Sequence, residues 1–214
     1  MKSILYEQVA RIGKALSSPK RLEILELLAQ SEKTVEKLAD SAHLSVKLAS
    51  AHLKALREAR LVEARRDGKY IHYRLSSDDV AQLLVHVREV AQEHLLELRV
   101  ALDQISGAPE QLSSETRVSL LAKARAGEVV VIDVRPPDEY ANAHLPCARS
   151  MPLEELRQRI GELPPGKPVV AYCRGPYCVM SDAAVKLLRR EGITAYKLSD
   201  GIAEWRANGL PLEH

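Results

Sequence analysis

The 214-residue sequence predicts two domains in tandem: a mainly α half that ends in a two-stranded wing, then an α/β half built on a parallel sheet. Three observations carry that prediction. Up to about residue 60 the apolar residues recur at helical spacing with almost no strand signal, and an alternating stretch around Asp67-Gly68 follows. Beyond residue 113, short apolar runs at 129–134, 169–172 and 193–198 alternate with helical stretches at 115–126, 153–160 and 179–191, the rhythm of βαβ units. Between the halves, Ser106 to Leu112 is a short segment holding both a glycine and a proline, which suits a linker. The expected boundaries are therefore 1–105, 106–112 and 113–214.

In the first half, Ile4, Leu5, Val9, Ile12 and Leu16 mark one amphipathic helix. Ser18-Pro19 offers an N-cap and a first-turn proline for a second helix running to Ala29. A short helix spans about 34–41, and Ser45 caps a fourth that reaches about Ala59. Residues 61–75 then read as two strands around a basic Asp-Gly turn. The order is helix-turn-helix plus wing. The wording of 44–75, with Leu44-Ser45, Ala49-Ser50, His52-Leu53-Lys54, Leu56-Arg57-Glu58-Ala59, Leu61-Val62 and Arg66-Asp67-Gly68-Lys69, resembles the ArsR-type winged-helix repressors over about residues 5–104. The resemblance implies a homodimer that binds a palindromic, double-stranded operator and releases it when an inducer arrives.

Geometry independently assigns the faces of 45–59. At ~100° per residue, Ala49, Leu53 and Leu56 share one side of the helix and Lys47, Ser50 and Lys54 the other. Between residues 44 and 74, eight basic residues stand against three acidic ones, a net +5 in a chain whose total is only +2. Positive charge is thus concentrated where a duplex would lie, rather than spread over a solvated surface. The DNA-contacting candidates are Ser45, Lys47, Ser50 and Lys54 on the recognition helix and Arg65, Arg66 and Lys69 on the wing. Lys47 or Ser50 is expected nearest the base edges, and phosphate contacts are expected to dominate affinity.

Residues 80–105 read as one long helix whose apolar stripe runs from Val80 through Leu84, Val90 and Leu98 to Ile105. A stripe of that length needs a partner, either a second copy of the chain or the first helix. Relatives that sense metals hold cysteines before the recognition helix or a set of His and Asp ligands on the last one. Here 34–42 has no cysteine, and only His94 and Glu97 match half of the second pattern. No metal and no cofactor is expected, and His86 and His94 are read as surface or interface residues. His52 is read as a packing residue rather than a base reader.

In the second half, apolar residues 169–172 run straight into Cys173, a turn at Arg174-Gly175-Pro176, Tyr177 and Cys178, and a new helix. In such a setting, loop N–H groups and the helix N-terminus direct positive partial charge at the sulfur and favour the thiolate. The motifs at 131–140 (Val-Ile-Asp-Val-Arg-Pro-Pro-Asp-Glu-Tyr), 143–146 (Ala-His-Leu-Pro) and 198–213, together with this loop, resemble the rhodanese family over about 113–214. The resemblance implies that Cys173 carries sulfane sulfur as a persulfide, with Arg174, Gly175 and Tyr177 in the same loop. The loop differs from many members in holding Pro176, Tyr177 and Cys178 in place of a second arginine or small polar residues, which leaves transfer from thiosulfate open. Asp133 and Arg135, at another strand end, either brace the loop or form an ordinary ion pair. Cys178, five residues after Cys173, is a candidate resolving thiol. Cys147 is read as an inert packing residue at a position where related sequences often have glycine.

All three cysteines, 147, 173 and 178, lie in the second half, so a thiol-reactive signal must be received there and transmitted to the DNA-binding half. Three cysteines make no disulfide framework. No apolar run approaches the ~18 residues of a membrane span, and the first residues lead into a helix without a leader core, so a cytoplasmic protein with no membrane partner is expected. The leading expectation is a repressor whose second domain senses or processes reactive sulfur, a sulfur-containing small molecule or another thiol-reactive inducer. The first alternative is a sulfurtransferase whose winged helix is autoregulatory; the second is a sensor of soft metals or arsenic oxyanions through Cys173 and Cys178.

Overall fold

The computed structural model describes residues 2–105, 113 and 115–214. The segment expected to link the domains, 106–112, lies outside the described residues. The chain forms two compact units, Met1–Val87 and Arg88–His214.

The first unit is a helical winged helix-turn-helix: α1 (Lys2–Leu16), α2 (Pro19–Gln30), β1 (Lys33–Thr34), α3 (Val35–Ser41), α4 (Val46–Glu58), β2 (Val62–Asp67) and β3 (Tyr70–Leu75), followed by α5 (Asp78–His94). Pro19 starts α2 as expected, but the Ser18 side chain makes no capping bond; its carbonyl instead takes the N–H groups of Arg21 and Leu22. Ser45 does cap α4, its hydroxyl accepting from the Leu48 N–H at 3.3 Å. The strands form an antiparallel sheet in the order β1-β3-β2, and β2 and β3 pair from Val62↔Leu75 to Asp67↔Tyr70. The two-residue β1 escapes sequence reading because it exists only through its pairing with Tyr73 and His72. Ile24 and Leu25 of α2, Leu38 of α3, Leu53 and Leu56 of α4 and Tyr73 of β3 share one apolar cluster, which fixes how α4 is presented.

The long helix expected over 80–105 is two helices, α5 and α6 (Leu96–Ile105). At Leu95 the bonding register tightens: its N–H still reaches the Ala91 carbonyl, while its own carbonyl takes both the Leu98 and Arg99 N–H groups.

The second unit continues with α7 (Arg117–Arg125), β4 (Val130–Asp133), α8 (Pro137–Asn142), β5 (Arg149–Ser150), α9 (Leu153–Arg159), β6 (Val169–Tyr172), α10 (Met180–Arg190), β7 (Ala195–Lys197) and α11 (Ile202–Ala207). Its four strands are parallel in the order β5-β4-β6-β7, the α/β rhodanese-like arrangement. β4 and β6 are buried along their whole length, as strands covered on both faces must be. Strand alternation sorts their residues into two cores. Ile132, Val134, Val169, Ala171 and Cys173 pack with Leu156 of α9 and Val185 of α10. Val131, Val170 and Tyr172 pack with Leu120 of α7 and Trp205 of α11.

Candidate functional site

Cys173 is the first residue past β6, and alternation places it on the α9/α10 face. It is 1% exposed. Its sulfur lies 3.2 Å from the Ser181 hydroxyl and 3.5 Å from the Cys178 carbonyl oxygen. Burial pushes the Cys173 thiol up, but hydrogen bonds from the Cys178 thiol, the Ser181 hydroxyl and the backbone N–H groups of Ser181 and Gly175 outweigh it and bring the thiol down to about 7. The same proximity acts oppositely on Cys178, whose thiol is pushed up by its bond to Cys173 and by burial. The pair is thus biased in one direction: Cys173 is the thiol that ionises first, and Cys178 the one that keeps its proton.

The loop that achieves this is tightly tied. The Cys178 N–H donates to the Gly175 carbonyl at 3.1 Å and closes a turn. Gly175 has φ +140, open only to glycine, and a Cβ there would stand 3.2 Å from a carboxylate oxygen of Glu204. Gly201 is more constrained still, since a Cβ would meet the Arg174 backbone at 2.5 Å. Arg174 forms a fork with the fully buried Glu139 of α8, its NH2 at 2.7 Å and its Nε at 3.0 Å from the two carboxylate oxygens. Beneath α10, Lys197 Nζ bonds the buried Asp182 at 2.6 Å. Tyr177 is half-buried. Glu139, Ser181 and Gly201 were not singled out from the sequence: each matters only through a partner far along the chain.

Asp133 and Arg135 are fully buried and form an ion pair, 2.5 Å from NH2 to Oδ2. Arg135 also donates to the Ala143 carbonyl at 2.7 Å, and the Tyr172 hydroxyl donates to Asp133 at 2.5 Å. This cluster lies on the Tyr172 side of the sheet, opposite the Cys173 sulfur, because residues 131 and 133 of β4 share a parity with the α7/α11 core and Arg135, just beyond the strand, folds back onto Asp133. Of the two expectations for the pair, the geometry matches the buried ion pair, linked to the loop through Tyr172. Cys147 is corrected: it is exposed, at φ +65, with its N–H 3.3 Å from a Glu213 carboxylate oxygen, so it sits at a turn apex and not in packing. The left-handed φ accounts for glycine suiting that position.

In the first unit α4 buries Ala49, Leu53 and Leu56 completely and exposes Ser45, Lys47, Ser50 and Lys54. Lys54 lies 4.0 Å from Glu58. On the wing Arg65, Arg66 and Lys69 are exposed. Arg65 is engaged by Glu32 at 2.7 Å and Asp67 at 3.3 Å, Arg66 donates to the Gly68 carbonyl at 3.2 Å, and Lys69 lies over the Tyr70 ring. His52 is half-buried, and burial followed by the Arg21 charge lowers its imidazole. His86 and His94 are exposed. Among the described residues no helix is long and apolar enough to cross a membrane.

Residues 18–64 match the family described as bacterial regulatory protein, arsR family, and residues 116–208 match the rhodanese-like domain. The HTH-type transcriptional regulator Rv0324 of Mycobacterium tuberculosis is 46% identical over 212 residues, covering 99% of this chain and 93% of that protein. The chain belongs to the ArsR family of transcriptional regulators and carries a C-terminal rhodanese-like domain. A sulfurtransferase of Allochromatium vinosum is 31% identical to this regulator over 103 residues, covering 48% of the regulator and 92% of its own length. Among solved structures, the homodimeric winged helix-turn-helix DNA-binding domain (fragment 1–100) of Mb0332 from Mycobacterium bovis is 49% identical to the regulator, with a TM-score of 0.43, covering 45% of the regulator and 89% of that fragment.

Proposed function

We propose that this ArsR-type regulator is a homodimeric repressor of a palindromic operator, with Cys173 as the receiver of a sulfane-sulfur signal. The observation that carries the reading is the buried Cys173 sulfur surrounded by donors that favour its thiolate near neutral pH, in a chain whose DNA-binding half holds no cysteine. The exposed row of Lys47, Ser50 and Lys54 supports placing α4 in the major groove, with the wing along the backbone. Ile4, Leu5, Tyr6 and Val9 of α1, Val90 of α5, Leu95 at the break and Leu96 of α6 are large apolar residues left exposed in one protomer, as an interface between two copies requires.

The chemistry balances without an external oxidant. The Cys173 thiolate attacks the outer sulfur of a hydropersulfide, R–S–SH; the donor S–S bond breaks, and RS⁻ leaves and is protonated. The negative charge then resides on the new outer sulfur of Cys173. The nearby thiolate that kept Cys178 protonated is thereby removed from Sγ. Cys178 passes its proton to that outer sulfur and attacks Cys173 Sγ; the Cys173 S–S bond breaks and hydrosulfide leaves, giving a Cys173–Cys178 disulfide. Either product alters a loop held by Arg174, Glu139 and Gly201 and would bias the regulator toward a state of lower operator affinity. The reduced thiol pair suits a cytoplasmic setting.

The test is operator binding by fluorescence anisotropy before and after inorganic polysulfide, with site-resolved mass spectrometry. We expect one added sulfur on Cys173 and weaker binding, with both lost in Cys173→Ser while its untreated DNA affinity stays intact. Undiminished induction of Cys173→Ser overturns the reading.

A sulfurtransferase reading draws on the same loop and on the partial likeness to the A. vinosum protein. It requires rapid cycling of Cys173 between a sulfane donor and a thiol or cyanide, which steady-state turnover distinguishes from a single reaction. The soft-metal alternative has less support: among the described residues no group of three or more His, Cys, Asp or Glu side chains could hold a metal ion.

A further inference from the structure

The Ser181 hydroxyl is fully buried in the apolar core between the sheet and α10, and its partner among the described hydrogen bonds is the Cys173 sulfur at 3.2 Å. A buried hydroxyl in apolar surroundings needs a partner, and once the sulfur is ionised it offers only acceptor capacity, so toward the thiolate the hydroxyl is the donor. Ser181 is the second residue of an eleven-residue helix, where its backbone N–H has no carbonyl of the same helix to bind. That N–H also reaches Cys173, so one residue presents two donors to the sulfur. Ser181 lies eight positions beyond Cys173, outside the turn that the sequence marks as the reactive loop.

We propose that Ser181 is a positioning residue that holds Cys173 as the reactive thiolate, as the side-chain donor that the later chemistry of the thiol pair does not consume. This rests on the reading of Cys173 as the sulfur-receiving residue. The two side-chain donors differ in fate. The Cys178 thiol is itself reactive and loses its proton in forming a disulfide, whereas the Ser181 hydroxyl takes part in no such chemistry. The charged groups packed around the loop are largely compensated. Arg174 is paired with Glu139 of α8, and Asp182 of α10 with Lys197 of β7; Asp133 of β4 and Arg135 just beyond it pair on the opposite face. Glu204 of α11 is buried, which pushes its carboxyl up, and it accepts the Gly201 N–H at 2.9 Å. With opposite charges paired on three sides, the donors at the sulfur set its ionisation.

The test is the rate of Cys173 alkylation by iodoacetamide against pH, on the full-length protein, resolved by site with mass spectrometry. Ser181→Ala removes one oxygen atom and leaves the packing otherwise filled. Its midpoint is expected to rise by about one pH unit, with the plateau rate at high pH unchanged. Ser181→Thr, which keeps the hydroxyl, is expected to return to the wild-type midpoint. An unchanged midpoint in Ser181→Ala overturns the proposal. So does a lowered plateau without a shift, which is what a purely structural role would produce. Alkylation needs no sulfur donor, so a protein that takes up no sulfane sulfur yet shows the shift would sink the sensor reading and leave the Ser181 assignment standing.

Discussion

Tyr172 and Cys173 are consecutive in the chain and project to opposite faces of the sheet: the Tyr172 hydroxyl reaches Asp133, and the Cys173 sulfur reaches Ser181. One face therefore carries a buried ion-pair cluster and the other the Cys173 thiol, with a single peptide bond between them. The first anchors the strand end from which the second departs.

Cys173 should titrate near pH 7 in the folded protein. Its folded value lies below the ordinary thiol value, so reactivity is present above about 7 and is lost as the pH falls through it. Iodoacetamide labelling should rise through that midpoint at Cys173. At Cys178 labelling should stay low across the same range, because its thiol is shifted the other way.

Gly201→Ala should disturb the loop without touching the thiol. Its Cβ would stand 2.5 Å from the Arg174 backbone, which is not a flexible side-chain end and must move. We expect a loss of stability of about 1–3 kcal/mol. Slower Cys173 alkylation at neutral pH should accompany it, read by thermal melting and labelling of the same sample.

Arg135→Met should be more damaging than its distance from the thiol suggests. Asp133 would keep the Tyr172 hydroxyl but lose its counter-charge in a fully buried site. Removing one partner of such a pair costs about 3–5 kcal/mol. Denaturant unfolding should show it, and Asp133→Asn combined with Arg135→Met should recover part of the loss.

Lys47→Ala or Lys54→Ala should weaken operator binding by ~1–3 kcal/mol if the residue reaches a base edge. Lys69→Ala on the wing should mostly lower the salt dependence. Arg65→Ala should do less than Lys69→Ala, because Arg65 is already engaged by Glu32 and Asp67. Salt-dependent anisotropy on a single operator separates the three outcomes.

Val90→Asp should dissociate the proposed dimer while leaving the protomer folded. Val90 is 58% exposed within one protomer, so a carboxylate there is costly only where a second copy covers it. Sedimentation velocity should shift from dimer to monomer with unchanged circular dichroism.

The sequence by itself determined what depends on local periodicity and backbone chemistry. The faces of α4 followed from 3.6-residue spacing, the Ser45 cap from a hydroxyl before an apolar run, the wing from alternation around Asp67-Gly68, and the strand–loop–helix setting of Cys173 from residues 169–181. Tertiary structure decided whatever depends on a partner distant in the chain. The two-residue strands β1 and β5 exist only as pairings, Glu139 and Gly201 matter only because the Arg174 loop folds against them, and Cys147 is exposed because its turn has a left-handed apex. The break at Leu95 is a change of bonding register inside an unbroken apolar pattern, so composition leaves no mark of it. Ser181 shows the division most clearly. A serine early in a helix is common and says nothing alone, and its hydroxyl meets the Cys173 sulfur only because strand parity turns Cys173 toward α10.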